Sequence, residues 1–248
     1  MIARKRKRPD TIPTDNSSFV QAVFSNAKVP STYELANHIL TLGLDILWRR
    51  RAARIAAKAN PGQWADMCTG TGEMAIYLNS LAPERTTIHA IDFSAPMLAR
   101  AAQKPHTENI SFTTADVTNL PFPNDTFDLI TMSFATRNIN LSKEKLIRTF
   151  AEFHRVLKPN GIFVNLETSQ PTFTPLRKCF HLYIKLFVEM IGTRISKAKT
   201  PYTYLANTIP RFYNADELTE ILHKAGFANV TAKKLLFSIA AIHQARKT

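Results

Sequence analysis

The chain has 248 residues, 45% of them hydrophobic, enough for one large α/β domain with additions or at most two domains. Two cysteines, Cys68 and Cys179, give neither zinc spacing nor a disulfide framework, which fits a reducing cytosol. No apolar run reaches the roughly 18 residues of a membrane span, and the net charge of +13 points to polyanionic neighbours, nucleic acid or an anionic membrane surface, or to a basic enzyme with solvated charges.

Residues 1–14 read as a disordered basic tail. Arg4-Lys5-Arg6-Lys7-Arg8 carries five of the positive charges and leaves about +8 on the rest of the chain. No apolar stretch follows it, so it is not read as a signal peptide. Residues 15–60 read as a helical cap. Asp15 or Asn16 caps a helix through Phe19, Val20, Val23 and Phe24, and Pro30 breaks it. A second helix is expected from Tyr33 to Leu42, interrupted by Gly43, and a third from Ile46 to Ala59, ended by Pro61-Gly62. Standing ahead of a sheet, these helices can cover a pocket. Tyr33, His38 and Trp48 are candidate substrate contacts, with ordinary packing the competing role for each.

Gln63 to Gly72 is an apolar run that ends in a tight glycine turn, and a helical pattern opens at Glu73. That is the strand, turn and helix with which a nucleotide-binding α/β sheet begins. Gly70 and Gly72, on either side of Thr71, let the backbone pass close to a ligand. Asp92 ends the next apolar run about twenty residues on, placed to accept both hydroxyls of a ribose, with Phe93 beside it. The turn lacks the third glycine of GxGxxG, and Glu73 at the helix start opposes a pyrophosphate. S-adenosylmethionine has no phosphate, and its sulfonium and ammonium groups are compatible with Asp66 and Glu73. It is therefore preferred to NAD; a two-glycine turn with no ligand is the competing reading.

Ser94 and Pro96 open the next helix as N-cap and first-turn residue. Ile110 to Ala115 alternates as a strand and Asp116 closes it, placed to accept from an adenine amino group while the Val117 amide serves a ring nitrogen. A cap on the short helix that follows is the alternative for Asp116. Phe127 to Phe134 is a strand with Ser133 near its active end, and the loop Ala135 to Ile139 faces the reacting methyl. A helix from Lys143 to Leu157 stops at Lys158-Pro159-Asn160-Gly161, and Phe163 to Glu167 is a fifth strand.

In this order the motifs resemble those of class I methyltransferases. The order is Asp66-x-Cys68-Thr69-Gly70-Thr71-Gly72, Asp92-Phe93-Ser94, Leu120-Pro121-Phe122-Pro123, Arg137-Asn138 and Arg155-Val156-Leu157-Lys158-Pro159. With Trp48-Arg49-Arg50, Tyr202-x-Tyr204-Leu205 and Ile209-x-Arg211-Phe212 added, the chain from Phe19 to Lys247 is more narrowly similar to the demethylmenaquinone and ubiquinone-precursor C-methyltransferases. It departs in carrying Glu34 where that family usually has Asp, Asn160 where Gly is usual, and the basic tail. The resemblance implies an α/β, Rossmann-like fold with a seven-stranded, mostly parallel sheet, helices on both faces and an antiparallel C-terminal strand. Residues 61–248 would form the methyltransferase domain, with an amphipathic helical insertion at about 172–200.

In that insertion Leu176, Phe180, Tyr183, Ile184, Phe187, Val188 and Ile191 recur at helical spacing, interleaved with Arg177, Lys178, Lys185, Arg194, Lys197 and Lys199. Such a stripe can cover a greasy substrate and rest on anionic headgroups, or simply pack on the sheet. Tyr202 and Tyr204 are expected on a loop beyond it. Asn214 caps a further helix that ends at Ala225-Gly226, and strands at about 229–236 and 238–244 form a closing hairpin.

The implied reaction is transfer of a methyl group from S-adenosylmethionine to a ring carbon of a prenylated quinol. Demethylmenaquinol is preferred, with the benzoquinol precursor of ubiquinone as the alternative. The expected catalytic residues are Arg137, Asn138, Tyr33 and Tyr202, and no metal is expected. Arg137 is too basic to be an ordinary general base and is assigned phenolate stabilisation with Asn138; a structural salt bridge is its competing role. The expected setting is cytoplasmic and peripheral at the inner face of the membrane, and a homodimer is compatible with the sequence. A nucleic-acid methyltransferase is the rival suggested by charge. Neither an amino-adenine motif after the fourth strand nor a placed catalytic cysteine supports it. A catalytically dead module that senses the cofactor is the second rival.

Overall fold

The computed structural model describes residues 29–196 and 199–248. The run Arg4–Arg8, the helix expected through Phe19–Phe24, and Lys197 lie outside the described residues, as does the side chain of Tyr33.

Two helices lead in. Helix α1 spans Val29–Leu40 and α2 spans Leu44–Ala56. Pro30 lies at the start of α1 as described, which thus opens ahead of the Tyr33 expected from the sequence. Gly43 at φ 75° makes the corner between the helices, a left-handed backbone that suits glycine. The sheet strands are β1 (Gln63–Met67), β2 (Thr87–Asp92), β3 (Ile110–Thr114), β4 (Phe127–Ser133), β5 (Leu157–Thr168), β6 (Ala228–Leu235) and β7 (Ala240–Arg246). The connecting helices are α3 (Glu73–Leu81), α4 (Ala95–Ala102), the four-residue α5 (Thr136–Ile139), α6 (Lys143–Val156) and, before the last hairpin, α10 (Ala215–Lys224).

The strand order is β3-β2-β1-β4-β5-β7-β6. Strands β1 to β5 pair in parallel and β7 runs antiparallel to both β5 and β6. The sheet is thus seven-stranded and mostly parallel, as expected, and the order reverses between β1 and β4. Ligands bind at that reversal, outside the carboxyl ends of the strands.

Strand β5 begins earlier than the sequence suggests. Lys158-Pro159-Asn160-Gly161 lies inside it as an irregular entry, with Asn160 at φ 64° and a shifted register between Phe127 and Leu129. Two cores clothe the sheet. Phe150, Phe153, Ile221 and Leu222 of α6 and α10 fill one face. Trp48, Ala52, Ala56, Met74 and Leu78 of α2 and α3 fill the other.

A third core belongs to the cap. Helix α7 (Thr174–Tyr183) runs through a π-helical turn (Ile184–Val188) into α8 (Glu189–Ser196). Helix α9 (Lys199–Thr208) and a 3-10 turn (Ile209–Arg211) follow. Phe180, Ile184 and Val188 meet Ala36 and Leu40 of α1 and Tyr202, Leu205 and Ile209. Tyr202 and Tyr204 are therefore helical, not on a loop. Tyr202, Leu205 and Ile209 recur at helical spacing and their burial drives the segment into a helix. Among the described residues no helix is long and apolar enough to cross a membrane.

Candidate active site

The cofactor cradle follows from the first βα turn. After β1, Cys68 at φ 54°, Gly70 at φ 56° and Gly72 at φ 83° fold the chain back on itself. Gly72 N–H donates to Thr69 O at 2.9 Å and Thr69 N–H to Ile91 O at 3.0 Å. A Cβ on Gly70 would meet nothing within 4 Å, so the turn presents bare backbone to open space.

Carboxylates surround this space. Asp66 is buried, its Oδ2 accepting the Thr69 hydroxyl at 2.6 Å and its Oδ1 the Thr131 hydroxyl at 2.7 Å. Burial pushes its carboxyl up to about 6. Asp92 accepts Gly70 N–H at 2.8 Å on Oδ2 and Ser94 N–H at 2.9 Å on Oδ1. Burial raises it too, against those backbone bonds. Asp116 is exposed, and its Oδ1 caps the following turn by accepting Thr118 N–H at 2.9 Å. The capping role expected as its alternative is thus present. Burial first, and then Asp92, Asp66 and Asp116, push the Cys68 thiol well above its ordinary value. One thiol thus feels all three carboxylates, and it is not a nucleophile at neutral pH.

This donor set fits S-adenosylmethionine. Glu73 opens α3 with its carboxylate already facing Arg49 Nη1 at 3.3 Å, which leaves a pyrophosphate no free cation there, and Asp66 and Asp92 concentrate negative charge where a sulfonium and an ammonium would lie. Asp66, Gly70, Thr71 and Gly72 form the turn; Asp92 and Phe93 end β2; Asp116 and Val117 follow β3; Ser133 ends β4. All nine expected cofactor residues stand at the carboxyl ends of β1 to β4.

The cap is latched to this cradle by a polar cluster, buried at Asp45 and Arg49 and half-buried at His38 and Glu73, that the sequence reading missed. Arg49 of α2 donates from Nη1 to Asp45 Oδ2 at 2.6 Å and lies 3.3 Å from Glu73 Oε2. His38 Nδ1 lies 2.8 Å from the same Asp45 oxygen and its Nε2 3.4 Å from Glu73 Oε1. His38, Asp45 and Glu73 thus bring ligand atoms within 4.8 Å of one another. The Arg49 guanidinium already supplies the positive charge between the two carboxylates. His38 serves this latch. Glu34, the family departure, pairs with Lys104 just beyond α4 and ties α1 to the body. The readable signal for Arg49 was its place in Trp48-Arg49-Arg50.

Beyond the latch lies a cavity of about 400 Å³. Its polar lining is Asn37, Thr41, Asp45, Arg49, Arg137 and Thr168; the rest of its walls are mostly apolar, among them Leu40, Phe180, Ile184 and Val188. The floor is Phe134, held at φ 56°, with the Arg49 guanidinium 4.9 Å from its ring centroid and the Trp48 ring packed at 6.5 Å. The cradle and the cavity meet here: Arg49 lines the cavity, pairs with Glu73 and lowers Asp66 by its charge.

Arg137, in α5 beyond the end of β4, is buried and lines the cavity. Its Nη1 pairs with Glu167 Oε1 at 3.5 Å and donates to the Thr168 hydroxyl at 3.2 Å. The structural salt bridge weighed for it is therefore present. Yet Arg137 Nε and Asn138 Oδ1 are both buried and, among the described residues, find no hydrogen-bond partner. Tyr202 does not join them. It is fully buried with its ring against Gly192, and it is outside the cavity lining. Tyr204 lies nearer: burial raises its hydroxyl, while Arg137 lowers and Glu167 raises it.

A doubly wound sheet with this acidic glycine turn, and a capped pocket beside it, defines an S-adenosylmethionine-dependent methyltransferase. The solved SAM-dependent methyltransferase from Aquifex aeolicus shares the fold, with a TM-score of 0.54 at 16% identity over 96% of this chain and all of that one. The chain belongs to the ubiE/COQ5 methyltransferase family, whose model matches residues 12–247. It is 32% identical to the demethylmenaquinone methyltransferase of Bacteroides fragilis, over 98% of both chains. It is 31% identical to that of Staphylococcus saprophyticus, over 90% of this chain and 94% of the relative.

Proposed function

We propose that this chain methylates a ring carbon of a prenylated quinol, demethylmenaquinol in preference to the benzoquinol precursor of ubiquinone. The observation that carries the reading is Arg137, which lines a largely apolar cavity with its buried Nε unpartnered, followed in the chain by Asn138, whose buried Oδ1 is unpartnered too. The relatives' names supply the naphthoquinol.

A quinol ring carbon becomes nucleophilic as the adjacent hydroxyl loses its proton. S-adenosylmethionine, when bound, would supply the methyl group as an electrophile and leave as the neutral thioether, and the ring carbon then loses its hydrogen as a proton to restore the aromatic quinol. Arg137 stays protonated and aims Nε–H at the phenolate oxygen, which it stabilises as charge develops. Glu167 and Thr168 hold the guanidinium in that orientation. Asn138 Oδ1 accepts from the quinol hydroxyl or from a water that carries its proton away. Leu40, Phe180, Ile184 and Val188 exclude bulk water and accept the ring and the first isoprene units. Tyr33 of α1 orients the ring.

The substrate is lipidic, so the enzyme works at an anionic membrane surface. Leu182, Leu186 and Met190 form an exposed apolar row along α7, the π turn and α8. Exposed Lys178 and Lys185 lie along the same helical stretch.

The test is methyl transfer from labelled S-adenosylmethionine with chemically reduced demethylmenaquinol and the benzoquinol offered side by side. Transfer to demethylmenaquinol alone is expected. Transfer to the benzoquinol alone reassigns the substrate, and transfer to neither with cofactor bound overturns the quinol reading.

A further inference from the structure

The hairpin joining β6 to β7 is built in a way its sequence does not favour. Leu236, Phe237 and Ser238 all have positive φ, 39°, 54° and 71°, and Ile239 N–H donates to Leu236 O at 3.1 Å. Those are the marks of a primed hairpin turn, whose central positions suit Asn-Gly. Here they hold Phe237 and Ser238, and a bulky residue at positive φ is an outlier. Strain of this kind persists where the surroundings hold it. Ser169 N–H donates to Ile239 O at 2.7 Å and anchors the tip to the end of β5.

The tip is also apolar and exposed: Phe237 is 77% and Leu236 44% accessible. Leu236 lines the cavity, as does Leu42, which is 84% accessible, and so does exposed Cys179. Cavity-lining residues that are themselves open to solvent mark its mouth. The mouth is therefore rimmed by Leu42 from the α1–α2 corner, Leu236 from the hairpin and Cys179 from α7. Exposed cations follow in the same elements: Lys178 beside Cys179, and Lys233 just ahead of the tip. A greasy rim with lysines beside it, on a chain of net charge +13, complements an anionic bilayer, whose headgroups take the cations and whose acyl boundary takes the rings.

We propose that the Leu236-Phe237 tip is a lipid-inserting wedge that seats the cavity mouth on an anionic bilayer, so that a prenyl tail stays in lipid while its ring slides to Arg137. The proposal rests on the quinol reading for its purpose but not for its binding. Phe237 lies outside the cavity lining, so its replacement leaves the pocket intact.

The test uses the full chain and phosphatidylglycerol/phosphatidylcholine vesicles in co-sedimentation. Phe237→Asn keeps a residue suited to positive φ and removes the ring, so folding is retained. Its partitioning onto vesicles is expected to fall about tenfold, from one lost buried aromatic side chain. Turnover on a detergent-dispersed, short-tailed demethylmenaquinol stays unchanged. Phe237→Trp is expected to give a vesicle-dependent blue shift quenched by brominated acyl chains, since Trp48 and Trp64 are both buried. Equal vesicle partitioning of Phe237→Asn and wild type overturns the proposal. So does a dimer, seen by sedimentation velocity, that the variant loses with vesicle binding intact: that outcome assigns the tip to a second copy. Weakened vesicle binding with no turnover on any quinol, in wild type or variant, keeps the wedge and removes the quinol reading.

Discussion

The cofactor cradle and the quinol cavity meet at Arg49 but are made in opposite ways. The cradle is short-range and polar. Three consecutive strand ends, those of β1, β2 and β3, deliver its carboxylates, and each buried oxygen is met by a hydroxyl or a backbone N–H from a neighbouring strand or turn. The cavity is long-range and apolar. Its walls come from α1, α2, α7, the π turn, α9 and the last hairpin, and its charged lining residues are Asp45, Arg49 and Arg137. The cradle therefore discriminates by charge and the cavity by shape and hydrophobicity. Among the described residues that line the cavity, Arg137 is the one with a buried side-chain polar atom left without a hydrogen-bond partner.

The largest expected effect tests that asymmetry. Arg137→Lys keeps a positive charge opposite Glu167 but loses the planar fork and the Nε donor. Turnover should fall about 10²- to 10³-fold, the scale of one lost donor to a developing oxyanion. Cofactor affinity by calorimetry should be unchanged. Arg137→Ala adds a stability loss of about 3–5 kcal/mol, because Glu167 is left buried and unpaired. Normal turnover in a folded Lys variant would reduce Arg137 to its salt bridge.

Asp66 tests the other region. Its carboxyl titrates at about 6 in the folded chain against an ordinary value of 3.8, so the folded protein holds that proton more tightly. The contribution is stabilising below about pH 4 and is lost as pH rises through 6. At pH 8 the buried charge costs on the order of 3 kcal/mol. Asp66→Asn should therefore stabilise the ligand-free enzyme at pH 8, by up to that amount, and give no gain at pH 4, measured by chemical denaturation. It should also weaken cofactor binding. Wild-type affinity should drop about tenfold per pH unit below pH 6, and the Asn variant should be flat there. A pH-independent wild type would separate Asp66 from the cofactor's charge.

The same contrast explains what could be read from the sequence. The cradle lay open to it because strand ends and a glycine turn are local signals: Asp66, Gly70, Gly72 and Asp92 fall into place once the βα period is seen. The cap was legible only as apolar stripes. Nothing local says that Tyr202 turns inward against Gly192, or that Tyr204 approaches Arg137 and Glu167, because helix rotation is decided by packing partners far along the chain. The Asp45–Arg49–Glu73 latch was hidden for the same reason. Its members belong to two elements, and only the fold shows that Arg49 spans them.

One substitution made in both regions gives the smallest effects and the sharpest contrast. Gly192→Ala places a Cβ 2.1 Å from the Tyr202 ring in the cap core. Overpacking of that kind costs about 1–3 kcal/mol, and Tyr202 has no room to retreat because it is wholly buried. Stability should fall by that amount and KM for the quinol should rise, while cofactor affinity holds. Gly70→Ala meets no atom, so the ligand-free protein loses only what a left-handed alanine costs, about 1 kcal/mol. Its new methyl group stands where the cofactor must approach the backbone, so affinity for S-adenosylmethionine should fall while ligand-free stability drops by no more than that. Thermal melts with and without cofactor separate the two patterns. If Gly192→Ala also weakened the cofactor, cap packing would be transmitted through α1 and the Arg49 latch into the cradle, and the two regions would be one cooperative unit.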